Sequence, residues 1–312
     1  MLTFPDPNVE TEYTDPNGSV WEFNGTGWVR QCECDGSGGG GGTDDLWLSV
    51  HSLINGDGEA DGSTQVVDAT SKHPVTNWNA AKISTTDPKY GTGCVSFDGS
   101  NMLEMATPSP DNFYLGEGFT VEMWVKASQL STTQTFACQW ASGNNCFSWI
   151  FNITSAGKPQ ATISLNGTSG SPSLINGTES INVGQWHHIA LTWDKSRYRL
   201  FVDGVESAGA DGAVPFFVDG NPITIGGRYS QIDDAGSGVG ANHHFEGEID
   251  DFRLTERCRY TADFTPPEKM PTSGTRSIVK YAEVTKDVIN IEGGDNDADL
   301  SNTLIQTNDS EE

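Results

Sequence analysis

Residues 247–267 read GEIDDFRLTERCRYTADFTPP, and this stretch decides how the chain folds. Asp250 and Asp251 interrupt a strand-like apolar run, and a basic, aromatic segment that ends in two prolines follows them. Successive side chains of a strand point to opposite faces, so Asp250 is expected to share a face with Phe252 and Leu254, and Asp251 to be exposed. If that shared face is the core, Asp250 needs hydrogen bonds, a charged partner or a metal ion.

The favoured interpretation of Asp250 is structural. Backbone amides of the turn at residues 97–101, or the guanidinium of Arg253 or Arg228, are candidate partners for its carboxylate. The alternative is a calcium ion shared with Asp98 and loop carbonyls, because calcium takes roughly six to eight oxygen ligands. No cofactor other than calcium is predicted.

The composition favours short strands joined by many turns. The 312 residues include 36 glycines and 14 prolines, and apolar residues alternate with polar ones in several short runs. Two such runs, residues 119–127 and 186–194, each place a set of apolar side chains on one face: Phe119, Val121, Met123 and Val125 in the first, and Ile189, Leu191 and Trp193 in the second. The sequence therefore predicts an all-β sandwich of antiparallel strands.

Charge and hydropathy exclude some classes of partner. Acids outnumber bases by 43 to 17, for a formal net charge of -26, so most of the surface would repel a phosphate backbone and no nucleic acid is expected. The chain shows no signal-like start and no apolar stretch of about 18 residues, so neither export by such a signal nor membrane insertion is expected. The six cysteines form no Cys-x-x-Cys pair, and free thiols are favoured over a disulfide between Cys138 and Cys146.

Composition divides the chain into four parts. Residues 1–33 read as a Trp-rich β-hairpin module, residues 34–45 as a glycine-rich flexible linker, residues 46–267 as the sandwich, and residues 268–312 as an extended acidic segment. A core built from about 33 residues is thin. The module is therefore expected to pack on a partner or on other copies of the chain.

Five segments in order resemble one known family. They are GCVSFDGSNMLEM (93–105), GFTVEMWVKA (118–127), GQWHHIALTWDKSRYRLFVDGV (184–205), ITIGG (223–227) and FEGEIDDFRLTERCRYTADFTPP (245–267). Together they resemble the laminin-G/concanavalin-A-like jelly roll in the version carried by bacteriophage structural proteins. The stretch YTDPNGSVWEFNGTGWVR (13–30) is similar to a short module of tail and other virion proteins.

The resemblance implies a jelly roll whose edge loops or concave face bind carbohydrate, in some members through calcium. Six aromatic residues lie near predicted loops and could stack on sugar rings: Trp78, Tyr90, Trp140, Phe147, Trp149 and Tyr229. Trp140, Phe147 and Trp149 flank the loop sequence ASGNN, and with Tyr229 they form the candidate glycan site. Core packing is the alternative for each of them.

Hydrolases of one branch of this fold carry a motif similar to Glu-Ile-Asp-x-Glu, in which three carboxylates share one strand face. Here the alternation gives Glu248, Asp250 and then the apolar Phe252, so the acid/base is missing. We therefore predict that the chain is not an enzyme, and glycoside hydrolysis is the least favoured function.

The resemblance implies a virion structural protein exposed on the particle surface. Its predicted role is adhesion to host-surface glycans, and the alternative is a purely structural decoration of capsid or tail. The N-terminal module and the C-terminal segment are expected to bind other virion proteins, and the chain to form a homo-oligomer.

Overall fold

The computed structural model describes residues 12–14, 20–23, 28–31, 44, 46–105, 115–141, 146–168, 173–215, 222–232 and 238–270. The predicted linker, except Asp44, and the acidic segment beyond residue 270 lie outside these residues. The chain divides into two compact units, of which the larger comprises residues 34–277. Among the described residues, no helix is long and apolar enough to cross a membrane.

The smaller unit contains a three-stranded antiparallel sheet. Strands β1 (Glu12–Thr14), β2 (Val20–Phe23) and β3 (Trp28–Gln31) follow one another in the sheet in chain order. These strands fall within the predicted hairpin module of residues 1–33. The predicted docking of that module on a virion stays a prediction.

In the described part of the larger unit, a 3-10 turn at Trp47–Ser49 is followed by strands that are joined by turns and loops. The strands are β4 (Val50–Ile54), β5 (Val75–Trp78), β6 (Lys82–Ser84), β7 (Cys94–Asp98), β8 (Met102–Met105), β9 (Phe119–Ala127), β10 (Gln134–Ala141), β11 (Cys146–Ile153), β12 (Pro159–Ile163), β13 (Ser173–Asn176), β14 (His187–Trp193), β15 (Arg197–Val202), β16 (Val205–Asp211), β17 (Ile223–Ile225), β18 (Arg228–Ile232), β19 (Gly238–Asn242) and β20 (Glu246–Thr255).

These strands form two sheets. The nine-stranded sheet has the order β13-β12-β11-β10-β17-β8-β5, with β18 on β10 and β19 on β18. The eight-stranded sheet has the order β16-β15-β14-β9-β20-β7-β6, with β4 on β20. Pairing is antiparallel except at one contact between β10 and β18. The predicted all-β antiparallel two-sheet sandwich is confirmed.

The core lies between the two sheets, and the alternation of β9 and β14 decides which side chains enter it. The seven apolar residues predicted to share inward faces on these two strands are all buried in one apolar cluster. The side chains between them, such as Glu122, Trp124 and His188, are also buried, although they point to the outer face of the eight-stranded sheet. That outer face must therefore be covered.

Residues 256–270, which we call the covering segment, lie across this outer face. Tyr260 and Phe264 pack with Phe201 and Ala190 of the two neighbouring strands, β15 and β14. Further along, Met270 packs with Val50 and Leu53 of β4. The aromatic, proline-ended tail of the opening stretch therefore forms a third layer over one sheet.

A β-bulge interrupts strand β20 between Asp250 and Arg253. Asp251 adopts a left-handed backbone conformation with φ of 49°. An extra residue in a strand breaks the alternation of faces, so Ile249 and Phe252 both enter the core while Asp250 does not. The expectation that Asp250 shares a face with Phe252 is therefore wrong.

Candidate functional site

The Asp250 carboxylate is buried beneath the loop that joins β6 and β7. Its Oδ2 accepts hydrogen bonds from the backbone amides of Lys89 (2.9 Å) and Tyr90 (3.1 Å), and its Oδ1 accepts one from the amide of Asp251 (2.8 Å). The predicted binding by backbone amides is therefore correct in kind. The amides are those of Lys89, Tyr90 and Asp251 rather than those of the turn at residues 97–101, and no guanidinium of the described chain takes part.

Asp251 is fully buried, so the prediction that it is exposed is wrong. The left-handed conformation at the bulge turns its side chain towards the covering segment, where Oδ2 accepts the amide of Met270 at 2.8 Å. Its Oδ1 has no hydrogen-bond partner in the described part of the chain. Burial raises the pKa of Asp251 to about 6, and burial with the charge of Asp251 raises the pKa of Asp250 to about 8.

Asp98 and Asp250 do not form a shared calcium site. Asp98 pairs with Glu246 across the sheet, four residues before Asp250 in β20, a separation on the order of 13 Å at the rise of a strand. The Asp98 carboxylate instead accepts the amide and hydroxyl of Ser100 in its own exposed turn. Among the described residues, no group of three or more His, Cys, Asp or Glu side chains could hold a metal ion.

Arg253 is structural, as predicted, but it binds Glu122 and Asp44 instead of Asp250. Its Nε and Nη2 donate to Glu122 Oε1 at 2.9 and 2.7 Å, and its Nη1 donates to Asp44 Oδ2 at 3.1 Å. Arg259 binds Asp44 through two further hydrogen bonds of 2.9 and 2.8 Å. Asp44, which composition assigned to the linker, is thus buried in a four-residue charge network.

Two carboxylates and two guanidiniums make the formal charges of this network cancel. Tyr260 donates its hydroxyl to Glu122 Oε2 at 2.8 Å, and His188 Nε2 lies 3.3 Å from the same oxygen. Burial opposes ionisation of Glu122, but the charges of Arg253 and Arg259 and the contact with His188 hold its pKa well below the ordinary value. The network therefore ties the covering segment to the sheet in an ionised, fully partnered state.

Glu248 and Asp250, the two carboxylates of the Glu-Ile-Asp pattern, are both engaged in contacts on this outer face. Glu248 Oε2 lies 2.7 Å from Lys126 Nζ, and Asp250 is closed off by the amides that bind it. Because of the bulge, Asp251 and Arg253 follow Asp250 on this side of the strand, and the Asp251 carboxylate is buried against the covering segment, where it accepts the amide of Met270.

The four predicted glycan-binding aromatics are all buried. Trp149 is 0% exposed within the core between the sheets, so no ring face is left for a sugar, and its assignment to an exposed loop rim is wrong. Trp140 and Phe147 pack edge to face, with ring centroids 4.6 Å apart, in a small cluster with Cys138 and Ile150. For Trp140, Phe147 and Tyr229, a glycan-binding role stays a prediction.

The exposed aromatic of the described chain is Trp78, at the end of edge strand β5. Leu103 and Met105 of the neighbouring strand enter the core, so Glu104 points to the outer face of the nine-stranded sheet. Trp78 lies on that same face and is 43% exposed. Its Nε1 donates to Glu104 Oε2 at 3.0 Å, which fixes the plane of the indole.

Tyr229, in strand β18, is the third side chain of this group beside Trp78 and Glu104. Its hydroxyl donates to the same Glu104 oxygen that Trp78 uses. Burial and the charge of Glu104 both raise the pKa of Tyr229, which keeps the phenol a donor. We call Trp78, Glu104 and Tyr229 the edge site.

Sequence reasoning placed Trp78 among the loop aromatics but did not select it, and it did not consider Glu104. One signal was present: in VTNW (75–78), alternation puts Trp78 on the face opposite Val75. Once Val75 is assigned to the core side, Trp78 is left on the outer face. Its hydrogen bond to Glu104 spans 26 residues and has no local signature.

The described domain is a two-sheet jelly roll with one outer face covered by its own chain and an exposed aromatic on the other. Residues 98–263, more than half of the chain, match the family model of the concanavalin A-like lectin/glucanases superfamily. The chain belongs to this family. Among the curated proteins, none matches it.

Solved structures share the fold at low sequence identity. The binding domain of Paraclostridial Mosquitocidal Protein 1 has a TM-score of 0.51 and 12% identity over 69% of this chain and 50% of its own. The binding domain of Botulinum Neurotoxin DC, solved in complex with SialylT, gives 0.49 and 14% over 67% and 48%. Domain 4 of AbnA, an arabinanase from Geobacillus stearothermophilus, was solved with arabinotriose and gives 0.45 and 20% over 67% and 93%. This chain thus spans about half the length of the two toxin binding domains.

Proposed function

We propose that the chain is a carbohydrate-binding protein and that the edge site is where the sugar binds. The observation that carries the proposal is the exposed indole of Trp78, held in one orientation by Glu104. A flat aromatic ring presents a large apolar surface to the C–H face of a sugar. Because the ring is already oriented, little conformational freedom is lost when a ligand binds.

The polar groups beside the ring suit the same ligand. Glu104 Oε2 is used by Trp78 and Tyr229, whereas no hydrogen bond reaches its Oε1 within the described chain. Thr76, opposite Glu104 in the sheet, is exposed as well. A stacking ring with a few fixed acceptors is the usual composition of a small-ligand site.

A glycan array and calorimetry test this proposal. The full chain is expected to bind a subset of printed glycans, and Trp78→Ala to weaken binding of the best of them about tenfold or more. Trp186→Ala is the matched control, because Trp186 lies by Lys126 of the other sheet and should leave binding unchanged. Equal binding by the wild type and Trp78→Ala would reject the edge site.

The same proposal places the protein on the surface of a bacteriophage particle, where glycan binding would serve adhesion to a host. Its support is the resemblance of residues 13–30 and 245–267 to segments of virion proteins. A homo-oligomer bound to other virion proteins through its termini is part of this proposal. Cryo-electron microscopy of intact particles tests the location, and light scattering of the full chain tests the oligomer.

A purely structural decoration of the particle is the second candidate. The covering segment favours this second candidate, because the chain itself already occupies the outer face of one sheet and leaves that face closed to a ligand. A protein found on particles that binds no glycan on the array would establish this alternative and exclude adhesion.

A further inference from the structure

Glu104 is the only charged member of the edge site, and nothing in the described chain neutralises it. Both of its hydrogen-bond donors, the indole of Trp78 and the phenol of Tyr229, are uncharged. Arg228 precedes Tyr229 in strand β18, but its guanidinium forms no ion pair with Glu104 among the described residues, and its charge acts instead on the Cys138 thiol. A ligand stacked on Trp78 would therefore meet a full negative charge.

We infer that the edge site takes neutral or amino sugars and rejects sialylated and uronic acid-containing glycans. This inference rests on the proposed function. A carboxylate accepts hydrogen bonds only, so sugar hydroxyls and ammonium groups satisfy the free Oε1 of Glu104. A sugar carboxylate within a few ångströms would instead repel it, and the net charge of -26 on the chain adds to that repulsion at long range.

The size of the discrimination follows from Coulomb's law. Two like charges about 4 Å apart at a hydrated surface repel enough to change Kd by a factor of about five, and more where water is excluded. The repulsion is screened over about 8 Å at physiological ionic strength and over about 3 Å in 1 M salt. The preference for uncharged sugars is therefore expected to shrink as salt is added.

Matched glycan pairs test the inference. Sialylated glycans are printed beside the same glycans without sialic acid, and uronic acid oligosaccharides beside their carboxyl-reduced forms. The wild type is expected to bind the uncharged member of each bound pair about fivefold or more tightly. Glucosamine-containing glycans are expected to bind at least as well as their N-acetylated counterparts.

Glu104→Gln provides the second arm, because glutamine keeps an oxygen acceptor for Trp78 and Tyr229 but carries no charge. The ratio of Kd values between charged and uncharged members is expected to fall towards one in this variant. Binding of the uncharged member is expected to weaken as well, because the amide N–H of glutamine replaces the free Oε1 acceptor. Glu179→Gln, a neutralised acid on an exposed loop, should leave the ratio as it is in the wild type.

Each outcome decides the question. Equal or tighter binding of the acidic members overturns the charge preference but leaves carbohydrate binding intact. An unchanged ratio in Glu104→Gln also overturns it, since Glu104 would not be its source. Binding to no glycan at all overturns the proposed function and this inference together.

Discussion

Arg253 donates two hydrogen bonds, from Nε and Nη2, to a single oxygen of Glu122 on the adjacent strand, and both side chains are buried. The pair sits beneath the covering segment, which adds Arg259 and Tyr260 to the same carboxylate region. A buried carboxylate is tolerated only with such partners, because desolvating an unpaired charge is costly. The motif of the opening stretch thus contributes charges whose partners, Glu122 and Asp44, lie far away in the sequence.

Glu122→Gln is expected to lower the free energy of unfolding by about 3 to 5 kcal/mol, since glutamine keeps an oxygen acceptor but leaves the buried charge of Arg253 without the charge of Glu122. The measurement is urea denaturation followed by tryptophan fluorescence. Glu117→Gln is the matched control, because its ion pair with Lys195 is more than half exposed on both sides and should contribute about 0 to 1 kcal/mol. Similar losses in both variants would contradict the buried network.

The Asp250–Asp251 pair is expected to make stability fall as the pH rises. Both carboxyls have an ordinary pKa of 3.8, raised in the fold to about 8 and about 6. Between pH 4 and 8 the folded state therefore holds more protons than the unfolded state. As the pH rises through this range, the free energy of unfolding falls by about 1.4 kcal/mol for each unit of pKa difference. Glu122, whose pKa is lowered, loses its contribution only as the pH falls below its ordinary value of 4.5.

The Asp251→Asn variant isolates this effect from the other titratable groups of the chain. The variant removes one carboxyl and the like charge beside Asp250, so its unfolding free energy should decline less between pH 4 and 8 than that of the wild type. The series is run in EDTA, because a divalent cation on Oδ1 of Asp251, which no described residue binds, would neutralise the pair. If the unfolding free energy of the variant declined with pH as steeply as that of the wild type, the Asp250–Asp251 pair would not be the source of the decline.

The core could be predicted because its signal is local. In β9 and β14 every second residue is apolar, and a strand has only two faces, so the inward set follows from the sequence alone. The bulge at Asp251 could not be predicted in this way. It needs one extra residue in a left-handed conformation, and the two adjacent aspartates carry no glycine to indicate it.

The charge network and the edge site could not be predicted from the sequence for a different reason. Asp44 lies just after a run of glycines whose composition indicates a linker, and its partner Arg259 lies 215 residues away. A contact between such distant positions is fixed by the topology of the sheets, not by any local pattern. The same holds for Trp149, whose strand enters the core only after a register shift near Trp140.

Three cysteines are expected to be unreactive thiols in the native protein. Cys94, Cys138 and Cys258 are buried, Cys138 forms no disulfide, and burial raises the pKa of Cys138 to about 11. This excludes the alternative of a Cys138–Cys146 disulfide. Alkylation with iodoacetamide at pH 8, read by mass spectrometry, should label these three only after urea is added. Rapid labelling of Cys138 without denaturant would contradict its burial.

Gly204→Ala is expected to loosen the covering segment. Gly204 has a φ of +81°, and a Cβ there would lie 1.9 Å from the carbonyl oxygen of Phe264. Gly58 has the same φ but nothing within 4 Å of its Cβ position, so Gly58→Ala carries the backbone cost alone, about 1 to 2 kcal/mol. Gly204→Ala should cost at least about twice as much, because the steric overlap adds to that strain. Denaturation of the two variants side by side measures the difference, and limited proteolysis should cut Gly204→Ala first within residues 256–270. Equal losses in both variants would mean that the segment does not rest on this turn.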